Sequence, residues 1–401
     1  MSTKRSLANL RTWIEIDSRA VKKNYATFRK LISPKTKLWA VVKSNAYGHG
    51  LIVFSKLAQK LGVDGFCVDS LVEGLRLRKE GIKKPILVLG PTLPALFREA
   101  EKNKITISIS NFEALKSLAR SKAKPQFHLK IDTGMHRQGF YLNDLSQVIK
   151  IISKSEFLIS KLKGIYTHFA SAKDINYPTY TEKQFSEFQK ATKLFSARGG
   201  SAFGGERLMY HCAATGATLI NPKYHLDAVR VGIGLYGLWP SKELEMQLRR
   251  SAARGGRSSD PRASELPRVE LHPVLSWRAV VSEVKNLNQG DYVGYDLAER
   301  VHKKTKMAIL PIGYWHGFPR ALSGAGEVLV RGHRANVLGR VSMDLVIIDA
   351  RNTRCVSGEV ATLIGRDNND EILAYDVAQK AGTIHYELLT RLNPLIERIL
   401  V

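Results

Sequence analysis

Several short apolar runs of the sequence each end in a side chain that can do chemistry. An amine that follows a buried strand loses hydration and becomes a better nucleophile, which suits it to attack a carbonyl group. Imidazoles exchange protons near neutral pH, and a guanidinium stays charged and can only donate hydrogen bonds. The residues at these ends are Lys43, Asp132 with Arg137 just beyond it, His168, His211 and Arg230. They predict a site built around a nucleophilic lysine.

The runs that end in these residues belong to a regular alternation. Between residues 38 and 239, β-branched or apolar runs alternate with amphipathic stretches of helical length, including residues 51–61, 70–80 and 180–197. The pattern is typical of repeated βα units around a parallel sheet. Strands are predicted at 38–42, 65–68, 86–89, 105–109, 127–131, 164–167, 208–212 and 228–231. Eight units favour a (β/α)8 TIM barrel, in which catalytic residues lie at the carboxyl ends of the strands.

The pattern changes after residue 240. Residues 249–264 are rich in Arg, Gly and Ser, as are residues 197–206, and such composition predicts flexible inserts. Farther on, short strands recur without long helices, at 276–284, 307–312, 327–330, 335–341, 344–349 and 359–364. We therefore predict an α/β protein with a TIM barrel domain at 10–242, a flexible linker at 243–270 and a mainly-β C-terminal domain at 271–401.

Composition limits the class of protein. No apolar run approaches the ~20 residues of a membrane helix, and residues 1–10 lack the apolar core of a secretory signal, so a cytoplasmic protein without membrane contact is expected. Cys67, Cys212 and Cys355 are far apart and in no C-x-x-C pattern, which predicts neither disulfides nor a metal site. The net charge of +26 is spread along the chain without interleaved aromatic residues. It predicts at most weak, non-specific nucleic-acid binding.

Seven motifs occur along the chain in one order. They are VKSNAYGHG at 42–50, KIDTGMHRQG at 130–139, YTHFA at 166–170, RVGIGLYG at 230–237, VGY at 293–295, GRVSMD at 339–344 and GTIHYE at 382–387. Together they closely resemble the alanine racemase family, whose members use pyridoxal 5'-phosphate (PLP). The resemblance extends over nearly the whole chain outside the two inserts, and it implies a PLP-dependent amino-acid racemase, an isomerase.

The resemblance also implies which residues act on the substrate. Racemisation removes the α-proton on one face and returns it on the other, so two acid/base groups must flank the substrate. The resemblance gives these roles to Lys43, which would also hold PLP, and to Tyr295, which in the family comes from the partner subunit of a homodimer. A free phenol ionises near pH ~10, so a cationic site is needed to make it a competent base. The implied product, D-alanine, is a precursor of cell-wall peptidoglycan.

A larger set of residues is implied to bind the cofactor and the substrate. Arg230 would face the pyridine nitrogen of PLP, where PLP decarboxylases on a similar barrel use a carboxylate. Arg137 would contact the phenolic oxygen of PLP and, with Met343 of the partner subunit, the substrate carboxylate. Lys130 matches a position that is often carbamylated, which would hold Arg137 in place. The cofactor-binding set is Lys43, Tyr47, Arg137, His168, His211, Thr215, Arg230, Gly232, Ile233 and Tyr386.

Two short segments depart from the family pattern. Ala214-Thr215 stands where the family has Asn-Ser, and Trp315-His316 stands where it has Ala-Asp near the substrate entrance. Both changes leave the substrate range open, so a serine racemase or a racemase of broad specificity is an alternative to an alanine racemase. A PLP-dependent decarboxylase is a further alternative. A non-catalytic PLP carrier is another, although the single-domain carriers that share this barrel lack a β-domain with its tyrosine.

Overall fold

The computed structural model describes residues 9–174, 177–197, 207–253 and 269–401. Their contacts divide them into two compact units. The barrel unit contains Arg19–Ser44 and Phe54–His272, and the sheet unit contains the described part of Met1–Ser18, Asn45–Val53 and Pro273–Val401. The division differs from the predicted domain boundaries, because two segments from the first part of the sequence pack with the C-terminal residues. None of the described helices is long and apolar enough to span a membrane.

The first strand, β1 (Thr12–Ile16), belongs to the sheet unit, and the next eight strands form the barrel. They are β2 (Lys37–Val41), β3 (Gly65–Val68), β4 (Ile86–Val88), β5 (Ile107–Ile109), β6 (Phe127–Lys130), β7 (Leu162–Tyr166), β8 (Met209–His211) and β9 (Ala228–Val231). They pair in parallel as two four-stranded arrays. Bridges from Leu87 to Thr106 and from Ala214 to Arg230 join the arrays on both sides. The predicted (β/α)8 barrel is confirmed, and each predicted strand overlaps an observed one.

The helices of the first 253 residues follow the predicted periodicity closely. They are α1 (Ser18–Leu31), α2 (Lys43–Tyr47), α3 (Leu51–Leu61), α4 (Leu71–Lys79), α5 (Phe97–Lys102), α6 (Phe112–Arg120), α7 (Leu145–Ser153), α8 (Glu156–Lys161), α9 (Pro178–Ala197), α10 (Thr215–Ile220) and α11 (Lys242–Ala253). Helix α4 begins at a capping box, in which the Ser70 hydroxyl accepts the Glu73 N–H and the Glu73 carboxylate accepts the Ser70 N–H.

Helix α11 extends into the segment predicted to be a linker. Leu244 and Leu248, one helical turn apart, are both buried, and Glu245 forms an ion pair with Arg249 at 2.8 Å. These contacts stabilise a helix where composition alone indicated flexibility. The rest of the two predicted inserts, residues 198–206 and 254–264, lies outside the described residues, as do residues 265–268 of the predicted linker.

The sheet unit is mainly β, as predicted. Its further elements are β10 (Leu275–Val280), β11 (Glu283–Leu287), β12 (Tyr292–Val293), β13 (Glu299–Arg300), β14 (Thr305–Leu310), β15 (Glu327–Val330), β16 (His333–Leu338), β17 (Val346–Asp349), β18 (Val360–Asp367), β19 (Asp370–Ile372), α12 (Ala374–Lys380), α13 (His385–Thr390) and β20 (Glu397–Leu400). The main sheet has the order β11-β14-β17-β16-β15-β18-β10-β1-β20, and β19 pairs with β18. Strand β1 is antiparallel to β10 and parallel to β20.

One predicted strand, at residues 276–284, is wrong as a single element. Strand β10 pairs with β18, whereas β11 pairs with β14. Between them the Val281 N–H donates to Glu359 and the Ser282 N–H donates to Ile309. The chain therefore changes partners at these two residues, which interrupts a strand that looks continuous in sequence.

Candidate active site

Lys43 lies two residues beyond the end of β2, at the carboxyl end of a barrel strand. Its Nζ is 3.4 Å from Oδ1 of Asp69, which follows the neighbouring strand β3. The Lys43 side chain is 37% exposed, so the expectation of a desolvated amine is wrong. Because β2 ends at Val41, the lysine extends past the buried layer, and a carboxylate that the sequence analysis had not identified balances its charge.

The turn after Lys43 has a backbone conformation that is costly for residues with side chains. Ser44–Tyr47 have φ between 53° and 55°, in the left-handed region, where each non-glycine residue costs roughly 1–3 kcal/mol. The Ser44 N–H donates to Oε1 of Glu73 at 2.7 Å, so the residue that caps α4 also fixes the start of this turn. Strain of this kind persists where neighbouring contacts determine the backbone, and it is concentrated at functional sites.

Arg230, at 3% exposed, is held by histidines and carbonyls inside the barrel. Its Nη1 is 2.6 Å from Nδ1 of His211, and its Nη2 is 3.3 Å from Nδ1 of His168. Nη2 also donates to the carbonyls of Thr167 and Cys212. Among the described residues, no acceptor binds Nε. The structure thus brings three predicted site residues together and leaves the Nε–H of the guanidinium available to a ligand.

His128, in the middle of β6, completes this network. Its Nδ1 is 2.9 Å from Nε2 of His211. Because Arg230 can only donate, His211 accepts at Nδ1, carries its proton at Nε2 and donates it to Nδ1 of His128. Burial, followed by the Arg230 charge, lowers the pKa of His211 well below its usual value and that of His128 to about 3. Both imidazoles are therefore neutral. His128 could not be selected from the sequence, because it lies within a buried strand, where any core histidine gives the same pattern.

Tyr166 and Lys130 lie beside the same network. The Tyr166 ring stacks on His211, with centroids 4.9 Å apart and an interplanar angle of 4°. Lys130 Nζ is 6.0 Å from the centroid of the Tyr166 ring. Lys130 is buried, and burial, followed by the charges of Arg137 and Arg230, lowers its pKa to about 8. This amine therefore has cationic neighbours and is partly neutral near physiological pH.

Arg137 is positioned by a tight loop after β6. Oδ1 of Asp132 accepts the N–H groups of Gly134, Met135 and His136, and Oδ2 accepts that of Arg137, at 2.8 to 3.0 Å. Burial raises the pKa of Asp132, but these four bonds together hold it below its usual value. The Arg137 side chain is exposed. The ionised aspartate thus fixes the loop backbone while the guanidinium stays at the surface of the barrel unit.

Three of the residues predicted to bind phosphate meet after β8 and β9. Thr215 begins α10, and its hydroxyl accepts the N–H of Gly232 at 3.2 Å and that of Gly234 at 3.4 Å. Ile233 is buried beside them. A Cβ on Gly234 would lie 2.4 Å from Cζ of Phe28, so only glycine allows this close approach. The group lies at the carboxyl ends of the last two barrel strands, where barrels commonly bind phosphate.

In the sheet unit, Tyr47 and Tyr386 lie side by side. Their ring centroids are 6.0 Å apart, with an interplanar angle of 55°. Tyr47 is the last residue of the left-handed turn, and Tyr386 lies in the first turn of α13. Burial, followed by the neighbouring Tyr47, raises the pKa of Tyr386. Its hydroxyl therefore stays protonated and can donate a hydrogen bond to an anion.

Tyr295 lies in the turn between β12 and β13 and is 69% exposed. The two residues after it, Asp296 and Leu297, have φ of 63° and 51°, so strain follows this residue just as it follows Lys43. Oδ2 of Asp296 is 2.7 Å from Nε of Arg340. An ion pair therefore holds the strained turn and leaves the phenol on the surface of the sheet unit.

The two residues that depart from the family pattern here have different environments. His316 is buried, and its Nδ1 accepts the Gly313 N–H at 3.2 Å. The Trp315 side chain is exposed, and the main-chain N–H of Trp315 donates to the carbonyl of Met343 at 3.1 Å. The sheet unit therefore accommodates the His316 side chain internally. Trp315 adds an indole next to Met343, whose side chain is also exposed.

The donor groups fit PLP. In the barrel unit, the unengaged Nε–H of Arg230 suits an unprotonated pyridine nitrogen, and Lys43 provides an amine for the aldehyde carbon. The hydroxyl of Thr215 lies among backbone amides that suit phosphate oxygens. In the sheet unit, the hydroxyls of Tyr47 and Tyr386 are also groups that suit phosphate oxygens.

Known proteins show the same organisation over the whole length. Residues 16–240 match the alanine racemase N-terminal domain family, and residues 274–400 match the alanine racemase C-terminal domain family. The chain is 34% identical to an alanine racemase of Leptospira interrogans, over 97% of this chain and 96% of the relative. It is 35% identical to one of Methanococcus maripaludis, over 96% of this chain and 98% of the relative.

Solved structures agree in fold. The crystal structure of alanine racemase from Bacillus anthracis with bound L-Ala-P is 33% identical, with a TM-score of 0.85 over 98% of this chain and 95% of that chain. A histidine racemase from Leuconostoc mesenteroides is 30% identical, with a TM-score of 0.81 over 98% of each chain. With both domains matched and full-length relatives above 30% identity, this chain belongs to the alanine racemase family of PLP-dependent racemases.

Proposed function

We propose that the chain interconverts L-alanine and D-alanine, with Lys43 and Tyr295 as its two acid/base groups. The main support is the buried Arg230, whose two Nη atoms each bind a protein partner while Nε is available. A guanidinium against the pyridine nitrogen can only donate, so that nitrogen stays unprotonated. PLP, when bound, supplies an electron sink that acidifies the α-proton. With the nitrogen unprotonated, less charge enters the ring, which favours return of the proton over decarboxylation.

Different side chains are proposed to transfer the α-proton and to bind the substrate carboxylate. Lys43 takes or returns the α-proton at Nζ on one face, with Asp69 3.4 Å away to balance its charged form. Tyr295 acts at its phenolic oxygen on the other face. The exposed guanidinium of Arg137 binds the phenolic oxygen of PLP and, with Met343 of the partner subunit, the substrate carboxylate.

The cofactor is proposed to be held by ten residues. The residues proposed to bind the phosphate are Thr215, Gly232 and Ile233 of the barrel unit and Tyr47 and Tyr386 of the sheet unit. The ring and the aldehyde carbon are bound by Lys43, Arg137, His168, His211 and Arg230. Lys130 is proposed to be carbamylated, because its pKa of about 8 leaves neutral amine to react with CO₂ and its neighbours are cationic.

We place Tyr295 of one chain in the site of a second chain. Together with Tyr295, the sheet unit presents six large apolar or aromatic side chains that are 44% to 69% exposed, namely Tyr295, Leu297, Tyr314, Trp315, Met343 and Leu345. Backbone bonds from residues 314 and 315 to 342 and 343 link two of the segments that bear them. Extended apolar surface of this kind is typical of an interface, and a two-fold homodimer is the commonest solution.

The proposal also includes the domain boundaries and the cellular role of the enzyme. The family matches at residues 16–240 and 274–400 support a barrel domain at 10–242 and a β-domain at 271–401, with a linker at 243–270 whose first part is helix α11. A cytoplasmic enzyme of this activity would supply D-alanine for the cell wall.

A panel of enantiopure amino acids tests the activity. The holoenzyme is incubated with L-alanine, L-serine and L-histidine, and each product is resolved by chiral chromatography. We expect alanine to be racemised fastest. Borohydride reduction followed by peptide mapping should place the reduced cofactor on Lys43. Absence of D-alanine, or a label on another lysine, would contradict the proposal.

A second candidate, racemisation of a larger amino acid, has specific support. Trp315 adds an exposed indole where the family pattern has a small residue, and the histidine racemase of Leuconostoc mesenteroides has the same fold. Faster turnover of histidine or serine than of alanine in the same panel would favour this candidate.

A further inference from the structure

Arg398, in β20, donates all five of its N–H groups to main-chain carbonyls. Nε and Nη2 both donate to the carbonyl of Gly48, at 3.1 and 3.0 Å. Nη1 donates to Asn393 at 2.6 Å and to Ile396 at 2.5 Å, and Nη2 donates also to Leu392 at 3.2 Å. A guanidinium has five donors in one rigid plane. This one is saturated, and it ties the segment before β20 to a segment near the start of the sequence.

The charge of this group is retained although it is largely buried. Burial lowers the pKa of Arg398 to about 10, which still leaves the guanidinium protonated at neutral pH. Carbonyl dipoles therefore stabilise the cation in place of a carboxylate. Because the geometry of the fork is rigid, it fixes the relative positions of the four carbonyls that it binds.

The segment that Arg398 binds is the one that follows Tyr47. A Cβ on Gly48 would lie 1.9 Å from the carbonyl oxygen of Leu389 in α13, and a Cβ on Gly50 would lie 3.2 Å from Cγ of Arg398. Gly48 and Gly50 have φ of 83° and 95°, so both the conformation and the space require glycine. The chain after Tyr47 thus packs between α13 and Arg398, all within the sheet unit.

We propose that Arg398 is a positioning residue that sets the affinity for the cofactor phosphate by fixing Tyr47 against Tyr386. The proposal rests on the phosphate role proposed above for these two tyrosines. Arg398 binds the carbonyl next to Tyr47, and Leu389, one helical turn after Tyr386, contacts the same glycine. One arginine and one helix therefore determine the 6.0 Å separation of the two rings.

The test compares two ligands that differ only in the phosphate. The full-length chain, freed of cofactor, is titrated with PLP and with pyridoxal, and each Kd is taken from the absorbance change. Arg398→Met keeps the stem and removes every donor, and we expect it to raise the Kd for PLP about tenfold or more while that for pyridoxal changes less than about twofold. Arg398→Lys, with one compact donor group, should give an intermediate Kd for PLP.

A matched control separates positioning from general loosening. Arg334, in β16, donates to Glu327 and Asp370 in the same unit, and Arg334→Met should leave both Kd values unchanged. In the absence of PLP, Arg398→Met should also speed amide hydrogen exchange at residues 47–50, which Arg334→Met should not do.

The outcomes distinguish this inference from the proposed function. If Arg398→Met binds PLP like the unmodified chain while Tyr47→Phe binds it weakly, the inference is overturned alone. If Tyr47→Phe binds PLP normally, the phosphate role of Tyr47 is overturned and the inference with it. Equal losses for PLP and pyridoxal in Arg398→Met would show general loosening and would also overturn the inference.

Discussion

Arg230 owes its position to hydrogen bonds whose direction is fixed by the chemistry of its partners. Because a guanidinium only donates, His211 must accept at Nδ1, and His128 must accept from His211 in turn. A protonated His211 could not accept from Arg230 and would place a second cation beside it. The orientation of Arg230 therefore depends also on neutral His128, which accepts from His211 and has no hydrogen bond to the arginine itself.

The His128 relay gives a prediction at the residue scale. Asn and Leu are similar in size, but only Asn can place an oxygen acceptor where Nδ1 of His128 lies. His128→Leu would leave the Nε2–H of buried His211 unpaired, at a cost of about 1–3 kcal/mol. We expect kcat for racemisation to fall about tenfold or more in His128→Leu and to be largely retained in His128→Asn. Nitrogen-15 NMR of the histidines reports the tautomers, and equal losses in the two variants would contradict the relay.

The amine of Lys130 gives a second prediction, in its pH dependence. With a pKa of about 8, about a fifth of the amine is neutral at pH 7.4, against roughly one part in a thousand for an ordinary lysine. Only the neutral form reacts with CO₂, so at a fixed concentration of dissolved CO₂ the rate of carbamylation should rise as the pH passes through 8 and level off above it. Carbon-13 NMR in labelled bicarbonate follows the adduct. Lys130→Arg is the control, since it keeps the charge, and a signal that persists in it would assign the adduct elsewhere.

At the scale of elements, burial explains what could be predicted. Most residues of strands β2 to β9 are buried, so the strands appear as largely apolar runs. Residues at or just beyond their ends, such as Arg230 and Lys43, could be selected by the barrel rule. The break between β10 and β11 could not be predicted, because it reflects a change of partner strand rather than of composition. The strained turns after Lys43 and Tyr295, and the bonds of Arg398, depend on contacts with residues distant in sequence.

Helix α10 offers a prediction about its missing cap. Ala214 occupies the N-cap position with φ −97° and ψ −173° and provides no side-chain acceptor. Threonine there can accept an N–H of the first turn, whereas valine has the same shape without an acceptor. We expect Ala214→Thr to exceed Ala214→Val in free energy of unfolding by about 1 kcal/mol, measured by urea denaturation. Equal stability of the two variants would show that the first turn is satisfied by other groups.

At the scale of the whole molecule, the proposed exchange of Tyr295 between chains predicts complementation. Lys43→Ala and Tyr295→Phe should each be nearly inactive alone. After the two are mixed and allowed to exchange subunits, half of the dimers are hybrids, and each hybrid has one site with both groups intact, so about a quarter of the original activity should return. If both groups come from the same chain, the mixture should stay inactive. Size-exclusion chromatography checks the premise, and we expect both variants to elute as dimers.

The position of β1 has a consequence for synthesis. The hydroxyl of Thr12 in β1 donates a hydrogen bond to the carbonyl of Arg278, 266 residues later. Strand β1 also pairs with β20. At ribosomal rates of roughly 5–20 residues per second, the partner strand β10 is synthesised about 13 to 50 s after β1. A nascent chain can therefore complete the barrel sequence while β1 is still an unpaired edge and Arg398, which binds Gly48, has not been made. Truncation at either end of the sequence should remove a strand from the same sheet, so we expect both to impair the same late folding step.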